Sequence, residues 1–554
     1  MFIKRSTSQR GDKTYQSVLL VQGERVPVPR GPGRPRKGET PKTKVVHKTL
    51  ANLSKLPEPL VLLVERFCKA ERSGEPLDHF VSQGEPVIGP AYGPLAALLM
   101  LARQLGIERA LGTDRHAALA LFLVLARVAH RGSRLSSVRW ASTQAVREAL
   151  GLKPFDEDDL YEALDWLATQ QARIEAELTP RAKGGAVFLY DVTSSYFEGQ
   201  HNELAAPGYN RDGKRYKKQI VAGLLTDAQG EPVSIQIYEG NTSDPETVGD
   251  QVKKLAQQFG AKDVVLVGDR GMIKAKGRAL LAEQGFRYIT SMTDPEIRKA
   301  LASGILQLDL FDEEVTEVVA DNGRRYVLRR NPAMTKRTRS RRTDQLSRVQ
   351  AKVDSRNELV ANSQRADPAV SLRSANKWLQ TYKLHKYVSA DLRDRMVHLV
   401  VDEEARTHLE SLDGCYVVIT DVPVDEASAQ TIWDRYGDLQ RVERDFRTMK
   451  TAGLELRPIY LRNANRTRAH AFVTMLALKI SRELQRRVAP LALTCEDALD
   501  RLQGVRLVTL ADPGLGLWRL PAKWAPEQQE VLAVLPRLAP PRLSLHPSGG
   551  TTQN

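Results

Sequence analysis

Two carboxylates stand at the ends of short apolar runs. Ala186–Tyr190 (AVFLY) leads straight into Asp191, and Val264–Val267 leads through Gly268 into Asp269. An uninterrupted apolar run of this length reads as a strand buried on both faces, of the kind found in the middle of a sheet. An aspartate where such a strand leaves the core has a rigid mount and access to solvent, as a metal ligand needs. It can equally be a turn-initiating residue. If the two strands lie parallel and adjacent, about 4.8 Å apart, both carboxylates project from one edge, where open α/β sheets bind their ligands. Like charges so crowded repel unless they share a proton or a cation. A divalent metal ion is the simplest resolution.

A third acid follows on a helix predicted over Thr431–Lys450 (TIWDRYGDLQRVERDFRTMK). Glu443, Phe446, Arg447 and Lys450 fall at i, i+3, i+4 and i+7 and share one face. Tyr436 lies two turns earlier on the same stripe. Glu443 could complete a metal site while Arg447 and Lys450 hold phosphates; the alternative is an ion-paired surface helix. Asp445 is the rival acid, but two residues along a helix turn it about 200° away.

The elements that must position these groups alternate in a readable order. Strands are expected at Gln219–Thr226 and Val233–Glu239, joined by a DAQGEP turn, and at Arg287–Ser291. Helices are expected over Thr247–Phe259 and Lys274–Gln284. The order is β-β-β-α-β-α-β, with carboxylates closing the first and fourth strands. Between the first two strands, Gly208–Lys218 (GYNRDGKRYKK) forms a polar basic loop with two tyrosines. Residues 293–428 interrupt the alternation and read as an inserted α/β module with a basic surface. It holds a hairpin around Asp321-Asn322-Gly323, a Lys/Arg-rich stretch over 331–347 leading into a long polar helix, and strands at Tyr387–Ala390, Met396–Val401 and Cys415–Thr420.

Upstream, Leu56–Leu178 has helical periodicity, including a helix over Glu157–Leu178. Residues 1–50 carry 12 Lys/Arg against 3 Asp/Glu, with a small hairpin expected from Thr14–Val21 and Glu24–Val28. Gly33-Arg34-Pro35, flanked by Arg30, Arg36 and Lys37, resembles an AT-hook, an extended Arg-Pro segment that lies in a narrow minor groove. A solvated basic linker is the alternative. At 554 residues the chain exceeds one core. Its formal charge of +15 and pI near 9.6 favour a polyanionic partner. No apolar run is long enough to span a membrane, and the N-terminus lacks the apolar core of a signal peptide. Three scattered cysteines, Cys68, Cys415 and Cys495, suggest neither a disulfide framework nor a zinc site. A cytoplasmic, reduced, nucleoid-associated protein is expected.

The segments YDVTSSYFEG, GDRGM and Tyr436…Glu443…Lys450 together resemble the DDE transposases of bacterial insertion sequences. The closest likeness is to the branch whose third motif is Tyr, two residues, Arg, three residues, Glu, six residues, Lys. Leu439 occupies the Arg position, a departure for which Arg441 or Arg447 is the candidate substitute. The resemblance spans roughly Arg181 to Arg487. It implies a ribonuclease-H-like mixed sheet flanked by helices, with first and fourth strands adjacent. It also implies an α/β insertion between the second Asp and the Glu, an interval of 174 positions here. The expected division is a basic arm (1–55), a helical DNA-binding or accessory region (56–180), a catalytic core (181–292 and 429–490), the insertion (293–428) and a C-terminal extension (491–554). The implied function is end cleavage and strand transfer of DNA, with Asp191, Asp269 and Glu443 holding two Mg²⁺ ions, for which Mn²⁺ can substitute. Tyr436, Arg447, Lys450, Arg270, Arg34 and Arg36 are the expected DNA contacts, the partner is double-stranded DNA at element ends and target, and a homodimer is expected on DNA. A non-catalytic DNA-binding derivative and a nuclease without joining activity are the alternatives.

Overall fold

The computed structural model describes residues 1–10, 13–28, 43–56, 58–74, 86–179, 186–199, 201–209, 211, 213–214, 216–450, 454–456, 459–510 and 524–539. The AT-hook-like segment, with Arg34 and Arg36, lies outside the described residues. The chain forms two compact units.

The first unit comprises residues 1–104, 132–157 and 482–554. It opens with an antiparallel sheet of β1 (Phe2–Arg10), β2 (Lys13–Pro27) and β3 (Thr43–Asn52). The segments expected to face each other as a hairpin, 14–21 and 24–28, are instead one continuous strand. Gly23 is carried inside the ladder, paired with His47, and β1 supplies the partner. A helix, Glu58–Ser73, packs on β1. A two-stranded ribbon joins β4 (Pro86–Ala91) to β15 (Arg506–Leu510), tying the late chain to the early one.

The second unit comprises residues 105–131 and 158–481. Its centre is an eight-stranded mixed sheet made of β5 (Val187–Tyr196), β6 (Gln219–Asp227), β7 (Pro232–Tyr238), β8 (Val265–Gly268), β9 (Arg287–Ser291), β10 (Thr316–Val319), β11 (Arg325–Arg330) and β14 (Cys415–Thr420). The order is β10-β11-β14-β9-β8-β5-β6-β7. Within it β7-β6-β5-β8-β9 is the ribonuclease-H-like arrangement: β5 pairs antiparallel with β6 and parallel with β8, and β8 parallel with β9. One face of the sheet is sealed by a core that includes Phe188, Tyr190, Val192, Val221, Leu225, Leu266, Tyr288 and Val417, with helix residues Val248, Val252 and Leu281 packed over it.

The interval 293–428 is divided between two cores. Its strands β10, β11 and β14 extend the main sheet through β9. The stretch between β11 and β14 builds a core of its own from Val349, Val353, Ala375, Leu379, Tyr387, Val388 and Val397. That module contains the hairpin β12 (Val388–Arg393) and β13 (Met396–Val401) and the 30-residue helix Pro332–Ala361. The basic stretch expected to lead into this helix is its first half: Asn331 caps it by accepting from Met334 N, and Pro332 opens it.

The helix Glu157–Leu178 fastens to the far edge of the sheet through one buried carboxylate. Glu175, fully buried, accepts from Gln171 Nε2 (2.8 Å), Ser234 Oγ (3.1 Å), Ile235 N (3.3 Å) and Gln258 Nε2 (3.1 Å), and pairs with Lys254 Nζ at 2.9 Å. Lys254 and Gln258 both reach it from a π-helical turn, Lys254–Gln258. Removing one partner of such a pair strands the other charge in the interior. Glu175→Ala should therefore destabilise this unit by about 3–5 kcal/mol, read from urea denaturation; a loss below about 1 kcal/mol, the range of exposed pairs, would show that the lysine relaxes into solvent.

Candidate active site

The parallel ladder between β5 and β8 sets the positions of two carboxylates. Its register pairs Leu189 with Val267 and Tyr190 with Gly268, so Asp191 and Asp269 are the next residues on neighbouring strands. Contrary to the expectation from the apolar run, Asp191 does not end its strand: β5 runs on to Tyr196, held there by β6 alone. The carboxylate sits where the β8 partner stops, and it is half-buried in a stretch where its neighbours Tyr190 and Val192 are fully buried. After Asp269 the chain turns at once, with Met272 N donating to Asp269 O (3.1 Å) and Gly271 at φ +79°. That left-handed conformation is one a glycine adopts without a Cβ clash.

Glu443 enters from the helix side. The segment expected as one helix over 431–450 is two, Ala429–Gly437 and Leu439–Lys450. Gly437 is a poor helix former, and Asp438 at the junction pairs with Arg435 (3.5 Å) and Arg441 (3.0 Å). The second helix packs on β5 and β6. It buries Leu439, Val442, Phe446 and Met449 and leaves Glu443 and Arg447 exposed. The first packs on β9 and β14, which carries Tyr436 to the sheet edge rather than onto the Glu443 stripe. The Tyr436 hydroxyl lies 2.8 Å from Ser291 Oγ and 3.3 Å from Asp269 Oδ1.

The electrostatics report the crowding. Burial pushes Asp191 up to about 7, with the charges of Asp269 and Glu443 adding to the rise, while the Val192 N–H on its Oδ1 (2.7 Å) and the Arg211 guanidinium oppose it. Asp191 thus lies within the field of the other two carboxylates. Among the described residues no three or more His, Cys, Asp or Glu side chains are already gathered closely enough to hold a metal ion. The donor set nevertheless suits a hard divalent cation: all three are carboxylates, and the charge they concentrate is left uncompensated. Burial, together with the neighbouring Asp269 charge, raises Tyr436 to about 12, so the phenol is protonated at neutral pH and serves as a hydrogen-bonding group beside Asp269.

The expected cations have different fates. Arg447 is exposed one turn beyond Glu443, whereas Lys450 is buried, only 9% exposed, and is not without a partner inside the protein. Its turn of helix also carries Met449 inward, which a four-residue stripe read from sequence does not show. Arg270 is exposed but engaged, 3.3 Å from Asp294 Oδ1 and 5.5 Å from the centre of the Tyr416 ring. Leu439, where the resembling branch has Arg, is 6% exposed. Arg441 donates to Ala228 O (3.1 Å) at the β6–β7 turn and pairs with Asp438. Arg447, exposed but likewise not without a partner, is the other candidate for that missing contact. Sequence reasoning does not single out two neighbours of the site. Arg211, whose backbone N donates to Ser194 Oγ (2.8 Å), pairs with Asp244 (2.5 Å) while its charge reaches Asp191. Ser291 ends β9. The basic loop around Arg211 is the only sequence signal for either.

With this geometry in hand, the chain compares clearly with one family. The transposase DDE domain pattern matches residues 182–479, more than half the chain and the span from just before β5 to beyond Glu443. The chain belongs to the DDE transposase family. No curated protein matches the sequence. Among solved structures, it is similar to a piggyBac transposase synaptic complex with hairpin DNA, at 10% identity and a TM-score of 0.37 over 74% of this chain and 76% of that one, a likeness too loose to bear on function. Members of the DDE family generally use divalent metal ions, in keeping with the carboxylate donors here. Among the described residues no helix is long and apolar enough to cross a membrane.

The raised Asp191 makes a signed prediction for the transposase freed of metal. Its folded pKa near 7 lies above the ordinary 3.8, so the folded state keeps a proton that the unfolded chain releases. The stability this contributes is full below the ordinary value and lost as pH rises through about 7. Asp191→Asn should therefore be more stable than wild type at pH 8 in the presence of chelator, with the difference shrinking toward pH 4. Urea titrations at the two pH values measure it, and an equal difference at both would show that Asp191 titrates normally.

Proposed function

We propose that the protein is an active transposase that cuts DNA at the ends of its own element and joins those ends to target DNA, acting as a homodimer on DNA. The observation that carries the reading is that Asp191 and Asp269 follow directly on paired residues of adjacent parallel strands, with the charge of Glu443 reaching Asp191. On this reading the three carboxylates hold two Mg²⁺ ions, with Mn²⁺ able to replace them. When bound, the ions would activate a water or a DNA 3′-hydroxyl and stabilise the leaving 3′-oxygen of an in-line displacement.

The chain's own residues have distinct tasks in this scheme. Asp191 and Asp269 are fixed by the sheet, and Glu443 closes the site from its helix. Tyr436, anchored on Ser291 of β9, positions Asp269 through its hydroxyl. Ser194 and Ser195 are buried in β5, away from any nucleophilic role. Arg447 offers a cation to phosphates flanking the scissile bond; Lys450, buried, is assigned to support of the helix instead. The Arg34–Arg36 segment is assigned minor-groove contacts with AT-rich duplex.

Changing Asp191, Asp269 or Glu443 to the corresponding amide should abolish cleavage of element-end DNA in Mg²⁺ while leaving binding in chelator largely intact. Cleavage by any one amide variant at near wild-type rate removes that residue from the site. Cleavage without joined products in the wild type would make the protein a nuclease, and binding without cleavage a non-catalytic derivative. Tyr436→Phe should slow cleavage by about two- to twelvefold, the worth of a net hydrogen bond of about 0.5–1.5 kcal/mol, without weakening DNA binding; an unchanged rate would show that the ring alone matters.

A further inference from the structure

The inserted module carries a charge pattern that the carboxylate site does not use. Two cavities lie along the helix Pro332–Ala361, and they share Thr338, Arg341, Gln345 and Tyr382, so they form one continuous groove. At one end the groove is lined by Arg270, the residue after Asp269, and by Arg298. At the other it is lined by Arg337 and Arg348. Eight Lys/Arg side chains line the two cavities against three carboxylates, Asp294, Asp344 and Asp413.

The arginines of this helix from Arg337 to Arg348 fall into two sets. Arg339 and Arg342 are neutralised from the Glu403–Glu410 side: Arg342 makes a bidentate pair with Asp413 (2.7 and 2.9 Å) and reaches Glu410 at 3.3 Å, and Arg339 lies 3.7 Å from Asp413. Arg337, Arg341 and Arg348 are exposed and, among the described residues, make no ion pair or hydrogen bond. They stand at i, i+4 and i+11, a single stripe about 16 Å long at 1.5 Å per residue. Three uncompensated guanidiniums facing one groove repel each other and lower the stability of the free protein. Such a stripe is favoured where a run of anionic groups fills the groove, and guanidinium forks suit phosphate oxygens.

We propose that this groove binds the phosphate backbone of DNA, leading a strand away from the carboxylate site past Arg270 and along the Arg337–Arg341–Arg348 stripe. The inference rests on the reading of the protein as a DNA-cutting enzyme, because Arg270, the residue after Asp269, lines the groove. DNA phosphates, rather than an acidic protein segment, are the occupant because the groove is continuous with that edge. Interactions of this kind position the duplex and carry no sequence information.

The test measures binding of the full chain to a duplex of arbitrary sequence in chelator, by fluorescence anisotropy across a salt series. Replacing Arg337, Arg341 and Arg348 together by Gln should lower the log–log salt slope by about 2.7, about 0.9 for each phosphate no longer neutralised. Replacing all three by Lys should keep the slope, which separates charge from packing as the cause. Arg339→Gln, a paired cation outside the groove, should leave it unchanged. An unaltered slope in the triple Gln variant, or an equal fall with Arg339→Gln, overturns the proposal. Because no cleavage is involved, the active-site reading fails separately: amide variants that still cut DNA would sink it while leaving a reduced slope to stand for the groove.

Discussion

Everything at the candidate active site depends on one stretch of parallel backbone pairing. Strands β5 and β8 share four register positions, Val187↔Val265 to Tyr190↔Gly268, and β8 ends there. Parallel hydrogen bonding fixes which residues are level, and a one-residue slip would send each side chain to the opposite face of the sheet. The apolar residues on both strands make such a slip costly, since Phe188, Tyr190 and Leu266 are buried in the same core. The hydrophobic effect thus holds two carboxylates side by side against their mutual repulsion. Ser291, at the end of β9, and Tyr436 complete the edge through hydrogen bonds rather than charge.

That arrangement leaves the metal-free site electrostatically unfinished. Asp269 is supported by the Arg270 N–H at 2.6 Å and by the Tyr436 hydroxyl. Asp191 has only the Val192 N–H and the more distant field of Arg211. Two acids of the same type, level on neighbouring strands, therefore differ in their surroundings. The difference comes from burial and from hydrogen-bond supply.

How much of this is legible in the sequence depends on the range of the interactions. The apolar strands leading to Asp191 and Asp269 follow from local patterning, although β5 runs on past Asp191, and the hairpin at Asp321-Asn322-Gly323 follows from turn chemistry. The break at Asp438 is hidden because the apolar periodicity continues across it. Only the docking of one helix on β9 and β14 and of the next on β5 and β6 separates them. Lys450 reads as an exposed cation on any helical wheel, yet it shares its turn with Met449 and goes inward. The role of Arg211 cannot be read because it depends on the path of a loop, whose composition shows charge but not direction. Continuous strand β2 misleads for the opposite reason: Gly23 looks like a turn, and its accommodation depends on β3.

The long excursion between Asp269 and Glu443 does not disturb the site because of where it leaves and rejoins the sheet. Its own-core portion departs after Arg330 and returns at Cys415, and these two residues are direct partners across β11 and β14. The neck is closed by Asn331 N donating to Gly414 O at 2.8 Å and by Thr335 Oγ1 donating to Asp413 O at 2.9 Å. Gly414 sits at φ +74°, and a Cβ there would meet Thr335 Oγ1 at 2.2 Å, so the closure requires glycine twice over. Loop closure has in effect been reduced to one hydrogen-bonded step, whatever the length between. The catalytic half of the sheet then receives the same two strands whether the inserted module is large or small. The two sets of arginines, one ion-paired and one not, thus stand on a portion of the chain whose length does not enter the register of β5 and β8.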